Sequence, residues 1–105
     1  MKKFSFVIHN ENGLDARLAG KLIKETIACK GEVKIQSGGK TGSGKMIFNV
    51  LSLHAKKGDC VQMEIIGGEE YTDAQRLMKF VEENIYSFLL KDREIISRFS
   101  FSGGS

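Results

Sequence analysis

The sequence predicts a single α+β domain, an open-faced β-sandwich in which a four-stranded antiparallel sheet carries helices on one face. Some segments alternate between polar and apolar residues or are rich in β-branched residues, which is typical of strands, and others have the periodicity of helices. Their order along the chain is β-α-β-β-α-β-α. The turns between strands are short and rich in glycine. The length of 105 residues and the apolar fraction of 41% suit one globular core.

The first strand and first helix are predicted within the first thirty residues. Residues 4–8 are aromatic and β-branched, which favours a strand, and a polar turn at residues 10–13 follows. Asp15 is the predicted N-cap of a helix that continues to residue 27, and Gly31 is expected to cap its C-terminus. The apolar face of this helix is predicted to contain Leu18, Ala19, Leu22, Ile23 and Ile27.

Three strands and a short helix are predicted in the middle of the chain. Residues 32–36 alternate between polar and apolar side chains, as in a half-buried strand, and a glycine turn leads to a short strand around residues 40–41. Residues 45–53 indicate a short helix or apolar segment. Residues 60–66 form the fourth predicted strand.

A long helix is predicted to open at residues 71–73, with Thr72 and Gln75 as a capping box. Its apolar stripe contains Ala74, Leu77, Met78, Val81, Ile85, Phe88 and Leu89. We expect residues 1–86 to form the domain. Residues 87–105 extend the last helix into a tail that carries further large apolar side chains, which we expect to pack over the domain or to join two subunits.

Charge and composition restrict the function classes. Residues 1–45 hold nine Lys and Arg against four Asp and Glu, whereas residues 46–105 hold seven against nine. This asymmetry predicts a basic face for an acidic partner or a phosphate, or simply a set of solvated lysines. No basic run interleaved with aromatic residues indicates nucleic acid, and no apolar run is long enough to insert into a membrane.

Cysteine use and the N-terminus predict a cytoplasmic protein. Cys29 and Cys60 are too few for a disulfide framework, and we expect both to be reduced, buried thiols. The N-terminal residues turn polar before a signal-peptide pattern develops. His9 and His54 have no neighbours at metal-ligand spacing, so no metal or other cofactor is expected.

Residues 39–45 match the GxxxxGK pattern of a phosphate-binding loop. That loop requires Ser or Thr at the next position, where this chain has Met46, and a parallel α/β sheet around it. The better interpretation is a glycine-rich hairpin.

Asp15 and Arg17 form the most informative pair in the sequence. An N-cap carboxylate accepts backbone N–H groups, which by itself explains Asp15. Arg17 lies in the first helical turn, where a cation opposes the helix dipole, so it suggests another role. A guanidinium beside free N–H groups is a potential anion site.

The segment Gly-Leu-Asp-Ala-Arg-Leu-Ala at residues 13–19 resembles the phosphocarrier motif of HPr, the small carrier of the bacterial sugar phosphotransferase system. The resemblance continues through the segment Asn-Val-Leu-Ser-Leu at residues 49–53 and covers about residues 1–86. The resemblance implies the same fold that the periodicity predicts. It also implies that the protein is a carrier or docking protein rather than an enzyme.

The chain departs from the family pattern at both phosphorylation positions. Asp15 stands where the family has the histidine that accepts phosphate from Enzyme I, and Met46 stands at the regulatory serine of Gram-positive relatives. Arg17 is retained, and Leu18 replaces the family's proline. The resemblance therefore implies a regulatory or docking module that does not carry phosphate on histidine. The alternatives are a carrier that forms an acyl phosphate on Asp15, or an assembly domain unrelated to sugar uptake.

The resemblance also implies a partner surface for Enzyme I-like, sugar-permease or regulatory proteins. Its residues would be Arg17, Gly20, Lys21, Lys24, Ile47, Phe48 and Leu51. Phe48 has two interpretations at this point, because an aromatic residue on a short helix is either an interface anchor or part of the core.

Overall fold

The elements occur in the predicted order, and the computed structural model describes residues 1–85. The strands are β1 (Lys2–Val7), β2 (Glu32–Ser37), β3 (Lys40–Ser43) and β4 (Cys60–Ile66). The helices are α1 (Ala16–Ala28), α2 (Ile47–Ser52) and α3 (Glu70–Asn84). The predicted α+β sandwich is confirmed. The expectation that residues 87–105 pack on the domain or on another subunit lies outside the described residues.

The sheet is antiparallel throughout and has the strand order β1-β4-β2-β3. Phe4 and Ile35 both lie opposite Met63, and all three side chains are fully buried against the helices. On the other face, Lys3 and Lys34 lie opposite Glu64. Because side chains alternate along a strand, one face of the sheet forms the core and the other is polar.

The buried face of α1 differs from the prediction at its last turn. Leu18, Ala19 and Leu22 are buried as predicted, but the side chain of Ile27 is 63% exposed. Thr26 takes the buried position, because it continues the row of Leu18 and Leu22 at steps of four residues. Its hydroxyl donates to the Gly44 carbonyl at 2.7 Å, which satisfies the buried polar group.

The predicted glycine cap of α1 is wrong. The helix ends at Ala28, and the cap residue is Cys29, in extended conformation, whose N–H donates to the Thr26 carbonyl at 3.0 Å. Gly31 is instead a close-packing position, since a Cβ there would lie 2.3 Å from the Gly67 carbonyl oxygen. The glycine allows the loop after α1 to pack against the loop before α3.

The predicted capping box of α3 is also wrong. The helix begins at Glu70 after the N-cap Glu69, so Thr72 lies inside the first turn. Asp73 is only 3% exposed, and its Oδ2 accepts the backbone N–H groups of Lys30 at 3.0 Å and Gly31 at 3.1 Å. This carboxylate therefore joins the start of α3 to the end of α1. Of the predicted apolar stripe, Ala74, Leu77, Met78, Val81 and Ile85 are buried, and Phe88 and Leu89 lie outside the described residues.

The two cysteines occupy different environments. Both are free thiols, and Cys29 is buried as predicted. Cys60 is exposed, contrary to the prediction, because it lies opposite Val7 on the polar face of the sheet. Burial raises the pKa of the Cys29 thiol to about 11.

The glycine-rich segment forms the β2–β3 hairpin, as predicted, with Ser37 opposite Lys40. The ammonium group of Lys45 donates to the Cys29 carbonyl at 2.9 Å and so serves the fold. Within residues 1–85, no helix is both long and apolar enough to cross a membrane.

Candidate functional site

The loop before α1 is held against the loop before β4. Gly13 has a φ of +64°, and a Cβ at this position would lie 2.5 Å from the Ala55 carbonyl oxygen. The N–H of Leu14 donates to the same oxygen at 2.9 Å, and its side chain is buried. These contacts determine where α1 begins, since they anchor the residue directly before Asp15.

Asp15 is the N-cap of α1, as predicted. Its backbone is extended, and its Oδ1 accepts the N–H of Leu18 at 2.9 Å. Its carbonyl accepts the N–H of Ala19 at 2.8 Å, which is the first bond of the helix. The N–H groups of Ala16 and Arg17 have no acceptor among residues 1–85. The half-buried carboxylate therefore lies at the end of the helix where an anion is favoured.

A cavity of about 190 Å³ opens beside the cap. The side chains of Asp15, Arg17 and Lys21 line it, together with Asn10 and Asn84. It thus brings one carboxylate and two cations to the start of α1. Arg17 and Lys21 are exposed, so both cations are available to a bound group or a partner.

Sequence reasoning did not identify Asn10 and Asn84. The amide nitrogen of Asn10 donates to the Asn84 carbonyl at 3.0 Å, which brings the end of α3 to the cavity. The Oδ1 of Asn10 is buried and has no hydrogen-bond donor among residues 1–85. The two residues are 74 positions apart, so no local pattern in the sequence could predict the contact.

Helix α2 presents an exposed apolar surface next to α1. Phe48 is 78% exposed and Met46 is 56% exposed, and Ile47 is also exposed. The interpretation of Phe48 as a core residue is therefore wrong, whereas Leu51 is partly buried against the core. Because α2 packs against α1, these apolar side chains and the cations of α1 belong to neighbouring elements.

The predicted basic residues of α1 divide between two adjacent depressions. Arg17 and Lys21 line the cavity at the cap, whereas Lys21 and Lys24 line a larger groove between α1 and α3. Gly20 is half-buried, and a Cβ there would meet nothing within 4 Å. A partner can therefore approach the backbone of α1 closely at this position.

The carboxylates near the cap of α1 do not lie together in a group that could bind a metal ion. Glu11, the nearest carboxylate in sequence, pairs with Lys57 at 2.6 Å, and this hydrogen bond lowers the pKa of Glu11. Residues 1–85 contain no group of three or more His, Cys, Asp or Glu side chains that could hold a metal ion.

Known proteins resemble this chain over most of its length. A family model described as "PTS HPr component phosphorylation site" matches residues 2–83. The phosphocarrier protein HPr of Mycoplasma genitalium is 32% identical over 85 residues, which cover 80% of this chain and 97% of the relative. The HPr of Haemophilus influenzae is 30% identical over 70 residues, covering 67% of this chain and 82% of the relative.

The fold agrees with these matches. The solved structure of a mycoplasma histidine-containing phosphocarrier protein superimposes with a TM-score of 0.74 at 28% identity, covering 77% of this chain and 92% of the other. Sequence and structure thus agree that the chain belongs to the HPr family of the phosphotransferase system.

Proposed function

We propose that this protein is a docking or regulatory component of the phosphotransferase system that does not carry phosphate on histidine. The observation that supports this proposal is the hydrogen bond of 2.9 Å from Leu18 to the Asp15 carboxylate. The family motif has the phosphate-accepting histidine at the position that corresponds to Asp15. Here its side chain is a carboxylate that caps the helix, and it has no imidazole nitrogen.

Charge opposes phosphoryl transfer to this position. The positive end of the α1 dipole and the free N–H groups of the first turn would favour an incoming phosphoryl group. The carboxylate of Asp15 already places a negative charge there, so it repels the anionic donor. Met46, at the position of the regulatory serine, has an exposed thioether and no hydroxyl group to modify.

The surface proposed for docking combines cations with apolar side chains. We call it the docking surface and define it by Arg17, Gly20, Lys21, Lys24, Ile47, Phe48 and Leu51. Its centre would be the exposed ring of Phe48, since aromatic anchors contribute much of the binding energy of an interface. The cations of α1 would orient an acidic partner and make its association sensitive to salt. Enzyme I-like proteins, sugar permeases and regulators of the same system are the partners that we propose.

The alternative is an acyl phosphate on Asp15. Its Oδ1 accepts the Leu18 N–H, whereas its Oδ2 has no hydrogen-bond donor among residues 1–85 and is the oxygen that could attack phosphorus. In that step a P–O bond forms on Oδ2 while the bond between phosphorus and the donor breaks. Arg17 and Lys21 line the same cavity and would stabilise the transferred charge.

Labelled phosphoenolpyruvate with Enzyme I distinguishes the two functions. We expect no label on the wild-type protein or on Asp15→Asn, which keeps a capping side chain. Asp15→His should accept some label, because it restores a nitrogen nucleophile at the start of α1. Hydroxylamine-sensitive label on the wild type that is absent from Asp15→Asn would refute the proposal and establish the acyl-phosphate carrier.

A second experiment tests the docking surface itself. Enzyme I is titrated into the wild type, Phe48→Ala and Tyr71→Ala, and its affinity for each is measured by calorimetry. Tyr71 on α3 is a matched control, because its ring is 67% exposed but lies outside the docking surface. We expect Phe48→Ala alone to weaken binding, and Arg17→Glu to weaken it most at low salt. Equal affinities for Phe48→Ala and Tyr71→Ala would refute this surface.

A further inference from the structure

A second basic surface lies between α1 and α3. This groove has a volume of about 630 Å³, more than three times that of the cavity at the cap. Lys21 and Lys24 of α1 line one side, and Arg76 and Lys79 of α3 line the other. Phe80, whose side chain is buried, also contributes to the lining. Two rows of cations therefore border one depression.

The groove keeps a net positive charge within residues 1–85. Its four cations face two carboxylates, Glu25 and Glu83, and Glu25 pairs with Arg76 at 3.4 Å. Among the described residues, Lys21, Lys24 and Lys79 have no ion-pair partner, and all three are exposed. Packing alone does not require three exposed ammonium groups to line one groove, so their arrangement suggests an anionic ligand.

The dimensions of the groove indicate an extended ligand. Thr72 and Asn84 both line it and are twelve residues apart on α3, which corresponds to about 18 Å along the helix axis. On each helix the two cations are three residues apart and so lie on one face. A small anion would contact only one end of such a groove. A polypeptide with several carboxylates would contact both rows.

We propose that the α1–α3 groove binds an acidic polypeptide segment of a partner protein. Carboxylates of that segment pair with Lys21, Lys24 and Lys79. The methylene groups of its acidic side chains contact the groove at Phe80. Lys21 and Lys24 also belong to the docking surface, whereas Arg76 and Lys79 do not, so the groove extends that surface onto α3. Binding of an acidic peptide can be tested without Enzyme I, so this inference can fail separately from the proposed function. The groove meets the cap cavity at Lys21 and Asn84, which line both. A partner with an acidic segment could therefore contact both regions at once.

Nuclear magnetic resonance on the full chain tests the groove directly. The ¹⁵N-labelled protein is titrated with a ten-residue glutamate peptide at low ionic strength, and with a ten-residue glutamine peptide as the uncharged control. We expect the glutamate peptide alone to shift the amide signals of α1 and α3 around residues 21–24 and 76–80. If these signals do not move in the full chain, the groove does not accept an acidic segment and the proposal is overturned.

Two matched double variants locate the charge that is responsible. Lys21→Gln/Lys79→Gln removes two cations from the groove, whereas Lys3→Gln/Lys34→Gln removes two from the opposite face of the sheet, where both lie across from Glu64. The groove variant should raise the Kd of the glutamate peptide by roughly 3- to 10-fold, and the control should change it by less than about 2-fold. Equal effects of the two variants would mean that only net charge matters, which overturns a specific groove.

Discussion

Replacing Asp15 by alanine is expected to destabilise the fold, whatever chemistry this residue takes part in. The substitution removes the side-chain oxygen that accepts the Leu18 N–H at 2.9 Å and the negative charge at the positive end of α1. The helix that it caps runs for 13 residues and buries Leu18, Ala19 and Leu22 in the core. Weakening this end of α1 therefore affects global stability.

The loss of unfolding free energy caused by Asp15→Ala has two contributions. Loss of an N-cap hydrogen bond costs about 1 kcal/mol. Loss of the charge at the helix end costs a further ~0.3–1 kcal/mol. Asp15→Ala should thus lower the free energy of unfolding by about 1–2 kcal/mol. Asp15→Asn keeps an acceptor and loses only the charge, so its cost should be about 0.3–1 kcal/mol and should shrink as salt increases.

Urea unfolding followed by circular dichroism measures these differences. The slope of the free energy against urea should be the same for all variants, because the surface exposed on unfolding does not change. Asp15→His is expected to resemble Asp15→Ala more than Asp15→Asn, since asparagine but not histidine is among the residues preferred at an N-cap. If alanine and asparagine at position 15 gave equal stability, the capping hydrogen bond would contribute nothing and the reasoning would fail.

Two further predictions concern buried groups. Asp73→Ala should lower the free energy of unfolding by about 1–3 kcal/mol in urea, because it leaves the buried N–H of Gly31 and the part-buried N–H of Lys30 without an acceptor; a loss well below about 1 kcal/mol would show that water replaces the carboxylate. In a thiol assay with Ellman's reagent at neutral pH, Cys60 should react at once and Cys29 only after unfolding, since burial raises the pKa of Cys29 to about 11. Rapid reaction of two thiols in the folded protein would contradict the second prediction.

The sequence predicts this fold well because its strands and helices have clear local periodicity. The alternation in β2 and the apolar stripe of α3 each arise within a few residues, and both appear in the structure. The cap at Asp15 is equally local, because its acceptor and donor are three residues apart. Features of this kind can be predicted from one chain without knowledge of its packing.

The exposure of Cys60 follows from the alternation of β4, but other features that the sequence did not predict involve distant contacts. Asp73 bonds with groups 42 and 43 residues away, and Thr26 bonds with a carbonyl 18 residues away. A carboxylate in the first turn of α3 suggests a surface residue, and only the loop after α1 makes it a buried acceptor. The contact between Asn10 and Asn84 at the cap cavity spans 74 residues. In each case the burial of a polar side chain depends on a partner that local patterns cannot predict.

Asp15 and Phe48 are expected to affect different properties of the protein, the stability of the fold and the affinity for a partner. Asp15 contributes to the fold through its own hydrogen bond, and this contribution does not depend on whether its carboxylate accepts phosphate. Phe48 is 78% exposed, and its ring removes little apolar surface from water when the chain folds. An exposed aromatic ring that the core does not need is the kind of side chain that anchors an interface, which is the role proposed for Phe48. Truncation to alanine should therefore lower stability at position 15 and lower only the affinity for a partner at position 48.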